Sequence, residues 1–148
     1  MLQETRRPKS SKAFSISGFN VFETRMDTAK DGIMTIVSRK YQSAELPSVS
    51  EDMNAVRISL ENGASLFIAN LYIPPNRSSL ACLGRILGSL QGVSRLGGGD
   101  ELVVAGDLNL KLDEFDSPFV AMNVVGLKKI KFGATRLNNE IDYVYTNC

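Results

Sequence analysis

The apolar run Leu102-Val103-Val104-Ala105, closed by Gly106-Asp107-Leu108-Asn109, is the feature that most constrains how this chain folds. A short continuous apolar run that ends in turn residues reads as a buried strand. Its exit sets an acid and an amide on alternate positions, and strand ends are rigid enough to hold a catalytic carboxylate. Asp107 and Asn109 share a face if the strand period of two persists through Leu108. Gly106 leaves room for a phosphate or a metal to approach the backbone. The same four residues also suit an ordinary strand-to-turn exit, so the site reading depends on what else the chain carries.

Strand signals dominate the first half of the chain. Residues 14–22 read as a strand interrupted by Gly18. Asp31-Gly32 is a turn signal that feeds a β-rich run over 33–37. Residues 53–60 alternate loosely, with Val56, Ile58 and Leu60 on one face. Glu61-Asn62-Gly63 is a strong hairpin turn, and 65–73 returns as another strand. Together these four segments predict a β-meander or one layer of a sandwich.

Pro74-Pro75-Asn76 stops the last of them. Ser78 or Ser79 caps a helix that reaches residue 90, with Leu80, Leu83, Ile86, Leu87 and Leu90 as its apolar stripe. Gly97-Gly98-Gly99-Asp100 is a loop and not a phosphate-binding P-loop, because no Gly-Lys-Ser/Thr follows. A short helix over 119–125, a short strand over 130–132 and a last strand over 141–145 complete the order. Strands, helix, strand, short helix, strands predict a mixed α/β chain with packed sheets. Its 148 residues suit one domain over 1–148.

Composition narrows the chemistry. A hydrophobic fraction of 43 % supports a real core. The net charge of +1 gives no global footprint of a nucleic-acid binder, although a local patch can steer one. Arg6, Arg7, Lys9 and Lys12 form one basic cluster and Lys128, Lys129 and Lys131 another; the plain reading of each is a solvated surface. Cys82 and Cys148 make no disulfide framework, so a reducing compartment is the default. The polar, charged start is not expected to be a signal peptide. No apolar run approaches the ~20 residues a membrane span needs. The 148 residues contain no histidine and no Cys-x-x-Cys pair. Ser-His-Asp and Cys-His catalysis are therefore excluded within them, and a structural zinc site is not expected. Any hydrolysis has to use carboxylates, a bound metal, Tyr or Lys.

Four stretches stand at the ends or edges of predicted strands: Leu2-Gln3-Glu4-Thr5, Asn70-Leu71-Tyr72-Ile73-Pro74-Pro75, Gly106-Asp107-Leu108-Asn109, and Thr135-Arg136 followed by Glu140-Ile141-Asp142-Tyr143. In this order they resemble the endonuclease/exonuclease/phosphatase superfamily. The resemblance is closest to the apurinic-type endonuclease domains of non-LTR retrotransposons, which carry Gln-Glu-Thr, Tyr-x-Pro, Gly-Asp-x-Asn and a Thr-Arg before an Ile-Asp. It spans the chain from Leu2 to about Asn147. It implies a two-sheet β-sandwich flanked by helices, a four-layer α/β architecture, in incomplete form.

The resemblance also implies roles. Glu4 is the ligand for a divalent cation, Mg²⁺ or Mn²⁺, since a hard cation takes carboxylate oxygens. Tyr72 holds or polarises a phosphate oxygen. Asp107 orients or deprotonates the attacking water. Asn109 binds a phosphate oxygen as charge develops, which is usually the larger catalytic contribution. Thr135 adds a hydroxyl contact, and Asp142 orients a catalytic histidine. Arg136 suits bidentate contact with a phosphate, which the family pattern does not itself supply. Tyr143 is read as packing.

The family's histidine lies in a Ser-Asp-His segment after one further strand, and its first strand precedes the Glu. On that pattern the chain is expected to lack both, leaving sheet edges open to pairing with a partner chain or a second copy. A fragment of a longer polyprotein, a decayed copy and a natural truncation all fit. The expected function is a metal-dependent phosphodiester hydrolase that nicks DNA, intracellular and nuclear if it is a retroelement product. The alternatives are a non-catalytic nucleic-acid-binding remnant and a phosphatase acting on a small phosphate ester.

Overall fold

Every regular element among the described residues is a strand. The computed structural model describes residues 1–3, 5–7, 10–25, 32–47, 52–74, 100–109, 126–130 and 142–147, with Asp142 described by its backbone alone. The strands are β1 (Leu2–Gln3), β2 (Phe19–Thr24), β3 (Ile33–Ser38), β4 (Ser43–Glu45), β5 (Met53–Ser59), β6 (Ser65–Tyr72), β7 (Glu101–Asp107), β8 (Lys128–Ile130) and β9 (Asp142–Thr146). They form two sheets, ordered β1-β3-β2 and β4-β5-β6-β7-β9-β8. The helices expected over 79–90 and 119–125 lie outside the described residues.

The Glu61-Asn62-Gly63 turn sets the register of the larger sheet. Leu60 N donates to Ala64 O at 2.9 Å and Gly63 N to Leu60 O at 3.1 Å. Gly63 has φ +83°, which a side chain resists. Pairing then runs from Ser59↔Ser65 to Met53↔Leu71. β6 and β7 are parallel, and β7 and β9 antiparallel. The ends of β6 and β7 therefore lie beside the starts of β5 and β9.

The structure corrects the expected meander. The four segments divide between the sheets, β2 and β3 as a pair in the smaller, β5 and β6 as a pair in the larger. Alternation tells which residues share a face, not which strands pair. The first strand also starts later than expected, because Gly18 has φ +80° and Phe19 N donates back to Ile16 O at 3.2 Å. β8 begins two residues before the expected 130–132. β1 and β4 are too short to leave a periodic signal.

Register sorts the side chains of the large sheet onto two faces. Met53, Ala55, Phe67, Ala69, Leu71, Leu102, Val104, Tyr143 and Tyr145 share one face and, with Ile73, Leu108 and Leu127, form the largest apolar cluster. The other face meets the small sheet. Near the hairpin turn that contact is apolar: Val56, Ile58, Leu66 and Ile68 pack with Phe22 and Val37, each fully buried aliphatic contributing about 1.5–3 kcal/mol.

One row further along the strands the contact turns polar. Asn54 and Asn70 are cross-strand partners, both 0 % exposed. Burying an amide is costly unless it is hydrogen-bonded. Asn70 Oδ1 accepts Gln3 Nε2 at 2.7 Å, and its Nδ2 donates to Met34 O at 3.0 Å and Leu2 O at 3.2 Å. Asn54 Nδ2 donates to Glu45 Oε1 at 2.8 Å and Thr24 Oγ1 at 3.3 Å. The two asparagines thus lace the larger sheet to β1, β2 and β3. Beyond them Tyr72 packs on Ile33, and the strands end.

Candidate active site

Four positions far apart in the chain meet in one row at that end. Tyr72 pairs with Asp107, and Asp107 pairs with Asp142. Tyr72 N donates to Asp52 O at 3.0 Å, which brings the start of β5 into the same row. Adjacent strands lie about 4.8 Å apart, so the row from Tyr72 to Asp142 spans about 10 Å, enough to face one phosphodiester group. Tyr72 is 2 % exposed and lies between the sheets, Asp52 is 0 % exposed, and Asp107 is half-buried.

The exit of β7 departs from the expected alternation. The strand stops at Asp107, and Asn109 takes φ +49°. Asn109 N donates to Asp107 Oδ1 at 2.9 Å, a turn made by the side chain that Asn and Asp favour. Asn109 Nδ2 donates to Ile73 O at 2.9 Å, and Ile73 N donates to Asp107 O at 3.0 Å. The ends of β6 and β7 are therefore laced through Asn109. The period of two does not reach it, because the aspartate turns the chain.

Gly106 serves a different need from the one its sequence suggests. A Cβ there would overlap the Leu71 carbonyl, its partner on β6. The glycine makes room for the neighbouring strand.

Of the residues expected to act, Tyr72, Asp107 and Asn109 are brought together by β6 and β7, with the backbone of Asp142 beside them. Glu4, Thr135 and Arg136 lie outside the described residues. The chain neighbours of Glu4 are both tied down: Gln3 by Asn70, and Thr5 through its N–H to Gly32 O at 3.2 Å. Among the described residues no three His, Cys, Asp or Glu side chains form a group able to hold a metal ion. Sequence reasoning passed over Asp52, whose position ahead of an apolar run looks like a solvated charge. It also gave Asn70 no task, although the strand period sets Asn70 on the Tyr72 face.

The basic clusters prove partly committed. Arg7 Nε meets Glu23 Oε1 at 2.7 Å and Arg25 Nε meets Glu23 Oε2 at 2.8 Å, around a carboxylate side chain only 6 % exposed. Arg7 also lies over the Phe14 ring at 5.3 Å. Lys129 Nζ sits 4.8 Å from the centre of the Tyr143 ring, which stacks on Tyr145. Arg6, Lys12 and Lys128 are exposed.

No family model and no curated protein matches the chain. Solved structures do. The endonuclease domain of TRAS1, a telomere-specific non-LTR retrotransposon, superposes with a TM-score of 0.67 at 18 % identity, over 88 % of this chain and 65 % of that one. An endonuclease/exonuclease/phosphatase family protein from Leptotrichia buccalis gives 0.58 at 11 % identity, over 90 % and 62 %. The fold is that of the endonuclease/exonuclease/phosphatase proteins. A mannosyl-6-phosphatase of Bacteroides thetaiotaomicron shares the endonuclease/exonuclease/phosphatase fold, with a TM-score of 0.59 at 10 % identity, over 88 % of this chain and 63 % of that one. This chain spans less than two thirds of the length of each structure. In the endonuclease/exonuclease/phosphatase fold of this chain, the row of Tyr72, Asp107 and Asp142 lies at one end of the larger sheet.

Proposed function

We propose that the chain is a metal-dependent phosphodiester hydrolase unit that nicks DNA, of the kind found in retroelements. The observation that carries this reading is the register row of Tyr72, Asp107 and Asp142 on a fold shared with the TRAS1 endonuclease domain. A phenol and two aspartate positions across about 10 Å match what phosphoryl chemistry asks for: a group to polarise phosphate oxygen and a carboxylate to order water.

The donors at hand are hard oxygens, which suits Mg²⁺ or Mn²⁺ and excludes soft metals. Glu4 and the Asp107 carboxylate would hold such an ion, and it would neutralise charge developing on the phosphate. The chain's own residues do the rest. Tyr72, held between the sheets, presents a fixed hydroxyl. The Asp107 carboxylate, whose Oδ1 accepts Asn109 N, orders water. Asn109, locked against Ile73, keeps a second amide hydrogen for a phosphate oxygen. The 148 residues hold no histidine, so among them Asp107 is the group placed to take a proton from water.

The test is relaxation of supercoiled plasmid by purified protein with and without Mg²⁺, beside Asp107→Ala and Glu4→Gln. Nicking that needs Mg²⁺ and is lost in both variants supports the reading; full activity in both variants sinks it. A second reading, hydrolysis of a small phosphate ester, draws on the likeness to the Bacteroides phosphatase. It predicts turnover of a sugar phosphate and none of plasmid. A DNA-binding unit that does not cut would instead show salt-sensitive binding that survives Asp107→Ala.

A further inference from the structure

Among the described residues, Asn70 is the most heavily bonded buried side chain that the hydrolase reading leaves without a task. It is 0 % exposed, and its hydrogen-bond partners Gln3, Leu2 and Met34 all belong to the opposite sheet. Nearer the hairpin turn the sheets meet mainly through apolar side chains, Phe22 among them, with one hydrogen bond from Asn20 Nδ2 to Ser43 Oγ at 3.0 Å. Apolar contacts tolerate sliding. Hydrogen bonds at 2.7–3.2 Å do not, because they weaken steeply off geometry.

β1 has little else to hold it. Its pairing with β3 covers only Leu2↔Met34 and Gln3↔Ile33, and it lies at the sheet edge. Asn70 takes the side chain of Gln3 and the carbonyl of Leu2, so both residues of the strand are tied to one amide. Asn70 also stands two positions before Tyr72 and opposite Ala105, which stands two before Asp107. Glu4 follows Gln3 in the chain.

We infer that Asn70 is a positioning residue: it sets β1, the strand that Glu4 follows in the sequence, against Tyr72 and Asp107. The inference rests on the hydrolase reading. It separates two jobs for one buried amide. A tie between sheets affects only stability. A positioning residue affects how well the site takes its cation.

The test uses Gln3→Met, which removes one donor to Asn70 at a half-buried position and keeps the side-chain shape, with Asn70→Ser as the stronger perturbation. Folding is followed by thermal melting, Mg²⁺ binding by calorimetry without DNA, and plasmid nicking across Mg²⁺ concentrations. Gln3→Met is expected to melt cooperatively and to bind Mg²⁺ about 10- to 100-fold more weakly, the range typical of residues that orient a metal ligand. Nicking should fall in kcat at low Mg²⁺, recover at high Mg²⁺, and keep its KM for plasmid. A folded Gln3→Met protein with wild-type Mg²⁺ affinity and kcat overturns the positioning role and leaves the hydrolase reading standing. A wild-type chain that neither binds Mg²⁺ nor nicks overturns the hydrolase reading, and this inference with it.

Discussion

Tyr72 and Asp107 face each other in register on parallel strands β6 and β7, with the whole 73–100 crossover between them in the chain. The pairing continues in the next residues, where Ile73 N donates to Asp107 O. The site row is thus a product of strand pairing. It depends on the β6–β7 ladder as much as on the side chains themselves.

Asp107→Asn tests the chemistry with little change of shape. The amide keeps an oxygen to accept Asn109 N, so the turn at the end of β7 persists and stability should move by less than about 1 kcal/mol. Mg²⁺-dependent nicking should drop about 10²- to 10⁴-fold. Plasmid relaxation and thermal melting on the same sample check both halves. A variant that nicks at the wild-type rate refutes the role of the carboxylate.

Asn109 carries two separable costs. Asn109→Gly loses the bond to Ile73 O, about 1 kcal/mol, but accepts φ +49°. Asn109→Ala loses the same bond and adds about 1–2 kcal/mol for a left-handed backbone. Urea denaturation should therefore rank wild type above Gly and Gly above Ala. The reverse order for Gly and Ala would mean that the backbone conformation contributes nothing.

Gly106→Ala should destabilise the fold by about 3 kcal/mol, because the new methyl meets the Leu71 carbonyl inside the sheet. The carbonyl is backbone in a central strand and has nowhere to move. The shift in urea midpoint measures it, and a midpoint within error of wild type would contradict the register.

Arg7→Ala separates surface charge from structure. Arg7 is engaged by Glu23 and lies over Phe14, so its loss should cost about 1–2 kcal/mol of stability. DNA affinity at low salt, read by fluorescence anisotropy, should stay near wild type. A large loss of affinity with unchanged stability would assign Arg7 to the nucleic-acid surface.

The amino-acid sequence by itself determined the local pieces. Alternation in β5 and β6, the Gly63 turn and the apolar run of β7 are set by neighbours a few residues away, and each is legible for that reason. So were Tyr72, Asp107 and Asn109 as polar residues at strand ends. Tertiary structure decided the rest. Which strands pair, and so the split of the expected meander into two sheets, follows from contacts across tens of residues that no local period records. The task of Gly106 depends on a carbonyl from another strand. The bonds of Asn70 and the burial of Asp52 depend on how the strand starts and ends line up. A polar residue in sequence is only a donor or an acceptor; whether it is solvated, structural or part of a site is fixed by what the fold sets within about 3 Å of it.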